Sequence, residues 1–278
     1  MKSTWWTPEE LKNILNRERS LRMKNNQMKS VVLCFVLVLI LNQAGTAQQK
    51  NPFLENELSK NITKEVSIRY MLHLPERYDS LRHHLPLLLY LHGGMGRGND
   101  FQKLSWYPIP KMILENSFPD SFVVIIPQCS EGKDWTEYTD TLKELLSKII
   151  NDYSIDTTRI YGIGYSMGGN GIAHFAYMNP EIFAAFAPMS GFYNTSWASR
   201  LKQIPVWFFH GAKDSTLQID DADKLVEALK QLNAEVKYTR DSEGEHSPPT
   251  AEQHLQVLQW FLQHSKKNIL TYPSELSQ

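Results

Sequence analysis

Cysteine, an excess of one charge and long apolar runs are all scarce in this chain of 278 residues. Its two cysteines, Cys34 and Cys129, exclude a framework of disulfides and a zinc site built on several thiolates. With 29 Lys and Arg against 30 Asp and Glu, the chain lacks the basic excess that is typical of nucleic-acid-binding proteins. We therefore expect no nucleic-acid partner. The hydrophobic fraction of 42% is typical of a globular protein that is stabilised by a packed core.

The longest apolar run lies near the amino terminus, at residues 31–41. It is too short to span a membrane, which takes ~20 residues, but it has the length of the hydrophobic part of a signal peptide. Met28 and Lys29 precede the run, and the small residues Gly45 and Ala47 follow it. This order of basic, apolar and small residues is typical of a segment that directs export.

The sequence therefore predicts a signal peptide over residues 28–47, with cleavage near Ala47 and export to the periplasm or the extracellular space. We expect no membrane attachment once the signal is removed. A buried core segment and an uncleaved signal anchor remain alternatives for the apolar run. Residues 1–27 are interpreted as an upstream extension or a mis-assigned start.

From residue 64 onward, short apolar runs alternate with amphipathic stretches, which predicts an α/β fold with a mostly parallel central sheet and helices on both of its faces. Strands are predicted at 66–74, 85–91, 122–127, 159–165, 184–189, 206–210 and 235–239. Several of these runs are continuously apolar, as expected for central strands that are covered on both faces. Apolar residues recur with a period near 3.6 in the helices predicted around 142–153, 222–232 and 250–262. One domain over 61–267 follows, with a tail at 268–278.

Ser166 lies in the sequence Gly164-Tyr-Ser-Met-Gly168, between a predicted strand and a stretch that can begin a helix. A sharp turn from strand to helix strains the backbone of its central residue and requires small residues two positions away. Gly164 and Gly168 meet this requirement, so Ser166 is predicted to be a nucleophile whose hydroxyl stands above the sheet. The N–H of Met167, at the start of the helix, would then face the developing oxyanion. A structural glycine turn remains the alternative.

A glycine-rich segment from His92 to Gly98 follows another buried run. Glycines there let backbone amides approach a substrate carbonyl, so Gly93 or Gly94 is expected to supply the second donor of an oxyanion hole. The segment has neither the Gly-Lys-Ser/Thr ending of a phosphate loop nor the Gly-x-Gly-x-x-Gly register of a dinucleotide site. His92 itself is expected to have a structural role.

A nucleophilic serine needs a neighbouring imidazole as general base, and that imidazole needs a carboxylate to orient it. His246, in a glycine-containing loop between the last predicted strand and the last helix, is the predicted base. Asp214, which directly follows a buried strand and thus lies at the carboxyl edge of the sheet, is the predicted acid. Asp220, Asp221 and Asp223 compete for that role, but they resemble the acidic first turn of a helix.

Three other histidines are assigned no chemical role. His210 ends a predicted strand and is expected to be a core histidine whose hydrogen bonds are satisfied. His254 and His264 are expected to lie on the surface of the last helix.

The residues Ser166, Asp214 and His246 occur in the chain order that is typical of α/β-hydrolases. In this order and in several short motifs, the chain resembles the α/β-hydrolase superfamily. Within the superfamily it resembles a secreted branch of predicted peptidases, prolyl-oligopeptidase-like enzymes and dienelactone-hydrolase-like esterases. The resemblance covers about residues 66–264. It depends on Leu91-His-Gly-Gly, Pro127-Gln-Cys, Trp135, Asp156-x-x-Arg-Ile-Tyr, Gly164-Tyr-Ser-Met-Gly-Gly, Phe183-Ala-Ala, Pro205-Val-Trp-x-Phe-His-Gly-Ala-Lys-Asp and Gly244-Glu-His.

The resemblance implies an α/β-hydrolase fold and a catalytic triad of Ser166, His246 and Asp214. It further implies an oxyanion hole formed by the amides of Met167 and of the turn at 93–94, and neither a metal nor an organic cofactor. In one respect the chain departs from this branch, because two prolines follow soon after His246 where relatives often have a large aromatic residue. The substrate preference of the branch is therefore not carried over.

Only residues 191–204 separate the strand predicted at 184–189 from the next strand, so no large cap domain and an open site are expected. An open site admits a small-molecule ester, a polymer-linked ester or a peptide. Aromatic residues are expected to bind substrate or, alternatively, to fill the edges of the sheet. These residues are Trp106, Trp135, Tyr165 and Tyr193, with Tyr107 and Trp197 nearby in loops.

Hydrolysis of carboxylic esters through an acyl-enzyme is the leading prediction, because the leaving group of an ester is expelled more easily than that of an amide. A serine peptidase of prolyl-oligopeptidase-like type is the alternative. A non-catalytic carbohydrate-binding or chaperone role would not require Ser, Asp and His in this order. The oligomeric state does not follow from the sequence.

Overall fold

The computed structural model describes residues 54–61, 65–76, 78 and 84–266, together with the single residue 9. The predicted signal peptide at 28–47 and the tail at 268–278 lie outside the described residues, as does the upstream extension apart from residue 9. All strands and helices named below belong to the unit Asn51–Gln278. None of the described helices is long and apolar enough to cross a membrane.

Eight strands form one sheet in the order β1-β2-β4-β3-β5-β6-β7-β8. They are β1 (Leu54–Asn61), β2 (Glu65–His73), β3 (Leu85–Leu91), β4 (Val123–Gln128), β5 (Ile155–Tyr165), β6 (Ala185–Met189), β7 (Val206–Gly211) and β8 (Val236–Asp241). Strands β3 to β8 are parallel to one another, whereas β2 pairs antiparallel with both β1 and β4. The predicted mostly parallel sheet is confirmed.

Strand β1 was not predicted from the sequence. Its residues, Leu54-Glu-Asn-Glu-Leu-Ser-Lys-Asn61, are mostly polar and lack the alternation of a half-buried strand. Pairing with β2 along its whole length stabilises β1 at the edge of the sheet, a tertiary effect that the local pattern does not report. The sheet therefore begins at Leu54, before the predicted domain start at residue 61.

The core lies on both faces of the sheet. Strands β4, β6 and β7 are buried throughout, as their continuous apolar runs predicted. Along β3, Leu87, Leu89 and Leu91 belong to the apolar cluster on one face, and Leu88 and Tyr90 to the cluster on the other. This alternation follows from the two-residue period of a strand.

Six α-helices cover these faces in the described part of the chain. They are α1 (Pro108–Leu114), α2 (Thr139–Asp152), α3 (Met167–Met178), α4 (Ala198–Leu201), α5 (Asp220–Gln231) and α6 (Ala251–Phe261). Apolar residues of α2, α3 and α5 pack into one cluster, and those of α1 and α6 into the other. The loops that follow the carboxyl ends of β3, β5, β7 and β8 lead into α1, α3, α5 and α6. The candidate site described below lies on these loops.

Two local predictions about the helices are confirmed. Helix α6 begins with a capping box, in which Thr250 Oγ1 accepts from Gln253 N and Gln253 Oε1 accepts from Thr250 N. Asp220, Asp221 and Asp223 lie in the first turn of α5, where negative charge complements the helix dipole. Between β6 and β7, a stretch that is described throughout, the chain forms a 3-10 turn at Thr195–Trp197 and the four-residue helix α4.

Candidate active site

Ser166 occupies the turn between β5 and α3 with φ 57° and ψ −119°, a strained conformation for a residue other than glycine. Close backbone packing surrounds this turn. A Cβ on Gly164 would lie 2.0 Å from the carbonyl oxygen of Gly168, and a Cβ on Gly168 would lie 1.9 Å from that of Leu91. Glycine is therefore required at both positions, for the reason that the sequence pattern indicated.

The three predicted triad residues come together at the carboxyl edge of the sheet. The Ser166 hydroxyl lies 2.9 Å from Nε2 of His246, and Nδ1 of His246 lies 2.6 Å from Oδ2 of Asp214. An ionised carboxylate can only accept, so Nδ1 carries the proton and Nε2 is left to accept from the serine hydroxyl. This is the tautomer that a general base requires.

Asp214 is held by the turn that follows it. Its side chain is fully buried, and Oδ1 accepts hydrogen bonds from the backbone amides of Thr216 at 2.9 Å and Leu217 at 2.8 Å. These bonds satisfy one carboxylate oxygen and leave Oδ2 directed at His246. The backbone of Lys213 donates to the carbonyl of Gly244 at 2.8 Å, which ties the Asp214 loop to the loop that carries His246.

Tyr165, the residue before the nucleophile, contacts the loop of His246. Its hydroxyl donates to the backbone carbonyl of His246 at 3.1 Å, and the two ring centroids lie 5.4 Å apart. Burial raises the pKa of Tyr165, and the negative charge of Asp214 raises it further. The phenol therefore keeps its proton, and remains a hydrogen-bond donor, at neutral pH.

Backbone amides predicted to form an oxyanion hole lie on both sides of Ser166. Met167 begins α3, so its N–H is one of those that a helix leaves without an intrahelical acceptor. Gly93 precedes the 3-10 turn Gly94–Gly96, and a Cβ on Gly93 would lie 3.4 Å from the Cβ of Ser166. The glycine turn thus lies next to the nucleophile, and the role of its amides in an oxyanion hole stays a prediction.

His92 holds this glycine turn in place, in agreement with the expected structural role. Its Nε2 accepts from the amide of Cys129 at 3.0 Å, so Nδ1 carries the proton and donates to the carbonyl of Gly93 at 2.7 Å. Burial lowers the pKa of His92 to about 4. Burial likewise raises the pKa of the Cys129 thiol to about 12, which makes that thiol a poor nucleophile.

Three of the four aromatic residues predicted to bind substrate, Trp135, Tyr165 and Tyr193, are buried instead, which corrects that prediction. Trp135 is 1% exposed and donates its indole N–H to the carbonyl of His92 at 2.9 Å, and Tyr193 is 2% exposed and accepts from the amide of Gly191. Trp135 packs against α3, where a Cβ on Gly171 would lie 2.3 Å from its own Cβ, and Tyr193 packs edge-on against Phe208 of β7. Their hydrogen bonds shape the loops of the site from beneath.

Trp106 differs from these residues because it is 43% exposed. It stacks on buried Tyr107, with ring centroids 3.9 Å apart. The hydroxyl of Tyr107 in turn lies 3.1 Å from the position of a Cβ on Gly93. Trp106 is thus connected through one side chain to the glycine turn beside the nucleophile. Tyr165, the fourth residue, is almost entirely buried and contacts the base loop rather than an open surface.

His254 is fully buried, and the prediction that it lies on the surface was wrong. It shares a face of α6 with Val257, Leu258 and Phe261, and that face packs against the sheet. The spacing of three, four and seven residues was visible in the sequence and could have indicated this burial. Nδ1 of His254 lies 2.9 Å from the carbonyl of Thr250, and burial lowers its pKa to about 4.

His264 lies beyond the end of α6, is half-buried, and has Nε2 2.7 Å from Oε1 of Glu235. His210 is buried at the end of β7, with Nε2 2.8 Å from the carbonyl of Leu217 and 3.4 Å from Oδ2 of Asp214. Nδ1 of His210 has no hydrogen-bond partner among the described residues. The expectation that its hydrogen bonds are satisfied thus holds for one nitrogen only, and its contact with the acid was not predicted.

The part of the chain that the structure describes contains no group of three or more His, Cys, Asp or Glu residues that could hold a metal ion. The geometry of Ser166, His246 and Asp214 is one that allows a serine hydroxyl to act as a nucleophile with an imidazole as its base.

Known proteins resemble this chain in sequence and in fold. Residues 59–267 match the family described as "Putative esterase". Over 146 residues the chain is 31% identical to the bifunctional acetylxylan esterase/xylanase XynS20E of Neocallimastix patriciarum, an alignment that covers 50% of this chain and 20% of that protein.

Among solved structures, a thermostable esterase superposes with a TM-score of 0.66 at 26% identity, covering 78% of this chain and 64% of that chain. An acylaminoacyl peptidase of Pyrococcus horikoshii superposes with a TM-score of 0.60 at 15% identity, covering 81% of this chain and 44% of its own, and shares the fold alone. The chain thus spans about a fifth of the curated relative and less than two thirds of either structural relative. With three quarters of its length matched, the chain belongs to this esterase family and has the α/β-hydrolase fold.

Proposed function

We propose that this chain is a serine esterase that hydrolyses carboxylic esters through an acyl-enzyme formed on Ser166. The observation that carries the proposal is the hydrogen-bonded series from Ser166 Oγ through His246 to the buried carboxylate of Asp214, with distances of 2.9 Å and 2.6 Å. Membership of the esterase family supports an ester as the substrate. The strained backbone of Ser166 supports the choice of nucleophile.

In the proposed reaction, Ser166 Oγ attacks the ester carbonyl carbon while His246 Nε2 accepts the hydroxyl proton. The amides of Met167 and of Gly93 or Gly94 stabilise the oxyanion, and losing one such donor typically raises a barrier by about 3 kcal/mol. Collapse of the tetrahedral intermediate breaks the bond to the alcohol, which takes the proton from His246. Water then attacks the acyl-enzyme by the same route and releases the acid and Ser166.

For the substrate, we propose a small-molecule or polymer-linked ester, with an acetylated polysaccharide as the leading candidate. The similarity to an acetylxylan esterase/xylanase supports this choice. The exposed ring of Trp106, stacked on Tyr107 near the glycine turn, offers a flat apolar surface on which a sugar or aromatic ring could stack. Export through the signal peptide predicted at residues 28–47 would bring the enzyme to such a polymer.

The test combines substrates with labelling of the nucleophile. An aryl acetate, an aryl feruloyl ester, acetylated xylan and a proline-containing peptide anilide are assayed with the wild type, Ser166→Ala and Ser121→Ala. Ser121 is exposed and precedes β4, at the opposite edge of the sheet, so its variant is a matched control. We expect Ser166→Ala to lose activity by about 10⁴-fold or more and Ser121→Ala to keep it.

A fluorophosphonate probe should label the wild type on the peptide that contains Ser166 and should not label Ser166→Ala. Labelling of another residue, or ester hydrolysis that survives in Ser166→Ala, would contradict the proposal. Faster turnover of the peptide anilide than of every ester would replace the esterase with a peptidase that uses the same residues.

A further inference from the structure

His210 faces the acid of the proposed triad from within the core. It is the fifth of the six residues of β7, and Asp214 follows it by four positions. Neither side chain is exposed to solvent. Nε2 of His210 lies 3.4 Å from Oδ2 of Asp214, the same oxygen that His246 approaches at 2.6 Å. Two imidazoles therefore converge on one carboxylate oxygen.

The same nitrogen of His210 also holds the turn that binds Asp214. Its main partner is the carbonyl of Leu217, at 2.8 Å. The amide of Leu217, like that of Thr216, donates to Oδ1 of Asp214. Leu217 is thus bound through both its N–H and its C=O, and the conformation of the turn depends on the carboxylate on one side and on His210 on the other.

Only one of the two ring nitrogens of His210 has a hydrogen-bond partner, and this difference indicates which nitrogen contributes to the structure of the site. A carbonyl only accepts, so Nε2 carries the proton. The other nitrogen, Nδ1, is buried and has no partner among the described residues. Burying an unpaired polar atom destabilises a fold, and an apolar side chain of similar size would avoid that cost. The imidazole therefore contributes through Nε2–H, whose two neighbours are the carbonyl of Leu217 and the carboxylate of Asp214.

We propose that His210 is a positioning residue of the active site, whose Nε2–H fixes the turn at 214–217 and keeps Oδ2 of Asp214 aligned with His246. The inference rests on the proposed function, because it assigns His210 a role in the same reaction. Two other titratable groups face this carboxylate, His246 from the loop after β8 and Tyr165 from the end of β5. The polar contacts of His210 are with Leu217 and Asp214, so its influence on the reaction passes through Asp214.

Loss of Nε2–H should have two consequences. The carboxylate becomes less well aligned, so kcat falls by about 10- to 100-fold while KM stays within about twofold. In addition, Oδ2 of Asp214 no longer shares its negative charge between two N–H groups and interacts more strongly with His246, which favours the protonated form of His246. The acidic limb of the kcat/KM profile should therefore move to higher pH, an effect that a purely structural role would not produce.

The experiment compares His210→Leu, which has no donor, with His210→Gln, whose amide nitrogen can reach the position of Nε2. His254→Leu is the matched control, because His254 is an equally buried histidine that bonds a backbone carbonyl but does not face Asp214. Each variant is titrated with a fluorophosphonate, so that kcat refers to reactive sites. We expect the fall in kcat and the shifted limb in His210→Leu, recovery of most of kcat in His210→Gln, and neither effect in His254→Leu.

If His210→Leu does not fold, His210→Asn replaces it, because the asparagine amide is too short to reach the position of Nε2. A gap in kcat between His210→Gln and His210→Asn would then support the inference. Wild-type kcat and an unshifted limb in all His210 variants, with an active and labelled wild type, would overturn the inference alone. A wild type that neither hydrolyses esters nor reacts at Ser166 would overturn the proposed function and the inference together.

Discussion

The nucleophile and the acid–base pair are held in place by different physical means. Ser166 lies in a turn of glycines whose backbones are in such close contact that no Cβ fits at Gly164 or Gly168. Asp214 and His246 lie on loops that are held by individual hydrogen bonds, from the amides of Thr216 and Leu217, from His210 and from Tyr165. His246 remains 19% exposed, whereas the residues that flank Ser166 are buried.

This contrast has consequences for how each half responds to change. Where backbones are in close contact, an added methyl group cannot be accommodated by a small adjustment, because the whole backbone segment that it meets must move. Hydrogen bonds can be removed one at a time, each with a limited effect. Substitutions in the glycine turn around Ser166 should therefore lower activity and stability together. Substitutions that remove single hydrogen bonds around Asp214 and His246 should lower activity by limited amounts while the protein stays folded.

The largest effect on activity without loss of the fold is expected for Asp214→Asn. The asparagine carbonyl can still accept from Thr216 and Leu217, but its amide group would face Nδ1 of His246 and favour the wrong tautomer. We expect kcat to fall by about 10⁴-fold with little change in the unfolding midpoint. Steady-state kinetics and urea unfolding measure the two quantities.

Asp220→Asn, in the exposed first turn of α5, is the control and should leave kcat unchanged. If both variants had the activity of the wild type, Asp214 would not be the acid. If Asp214→Asn unfolded, the contrast between the two halves would not hold.

Gly168→Ala tests the close backbone packing that holds Ser166. An added Cβ would lie 1.9 Å from the carbonyl oxygen of Leu91, so the turn must open. We expect a loss of about 3 kcal/mol in the free energy of unfolding, together with a loss of activity of about 100-fold. Urea unfolding and ester hydrolysis are measured on the same preparation.

Gly132→Ala is the matched control, because its φ is 72° but nothing lies within 4 Å of an added Cβ. It should lose only about 1 kcal/mol and keep its activity. Equal stability of the two variants would show that close packing at Gly168 is not what holds the nucleophile.

Acid should lower the stability of the fold through both regions, because a buried neutral histidine lies beside the glycine turn of Ser166 and another lies beyond the loop of His246. Burial lowers the pKa of His92, beneath the glycine turn, and of His254, after the base loop, to about 4. Between about pH 6.5 and 4 the unfolded chain binds protons that the folded chain excludes, so stability falls as the pH falls. Each histidine contributes a slope of up to about 1.4 kcal/mol per pH unit in this window.

Urea unfolding at intervals between pH 7 and pH 4.5 measures the slope. His254→Leu should reduce it by close to one proton, whereas replacement of exposed His84 by Leu should leave it unchanged. An identical slope in the wild type and in His254→Leu would mean that His254 binds its proton as readily in the folded chain as in the unfolded chain.

The smallest effect is expected for Tyr165→Phe, which removes one hydrogen bond, the one to the carbonyl of His246. Such a bond contributes about 1 kcal/mol, so we expect kcat to fall about fivefold and the fold to persist. Tyr238→Phe removes the hydrogen bond of another tyrosine, to Asp223 in the first turn of α5, and should change stability but not kcat. An unchanged kcat in Tyr165→Phe would show that the base loop is held without this bond.

Much of the fold followed from the sequence because continuous apolar runs and glycine turns are local signals. The central strands and the requirement for glycine at 164 and 168 were predicted on this basis. Strand β1 was missed because its stability comes from pairing with β2. The burial of Trp135 and Tyr193 was missed because a loop aromatic has no periodicity that would show which way it faces.

The sequence by itself determined which residues can act and in which order they occur, because residue type and spacing carry the chemistry of Ser166, Asp214 and His246. Tertiary structure alone decided which side chains meet. The approach of His246 to Asp214 and the anchoring of the base loop by Tyr165 depend on how the carboxyl ends of β5 and β7 and the loop after β8 converge. Such convergence joins residues 32 to 81 positions apart, and no local pattern encodes a contact at that separation.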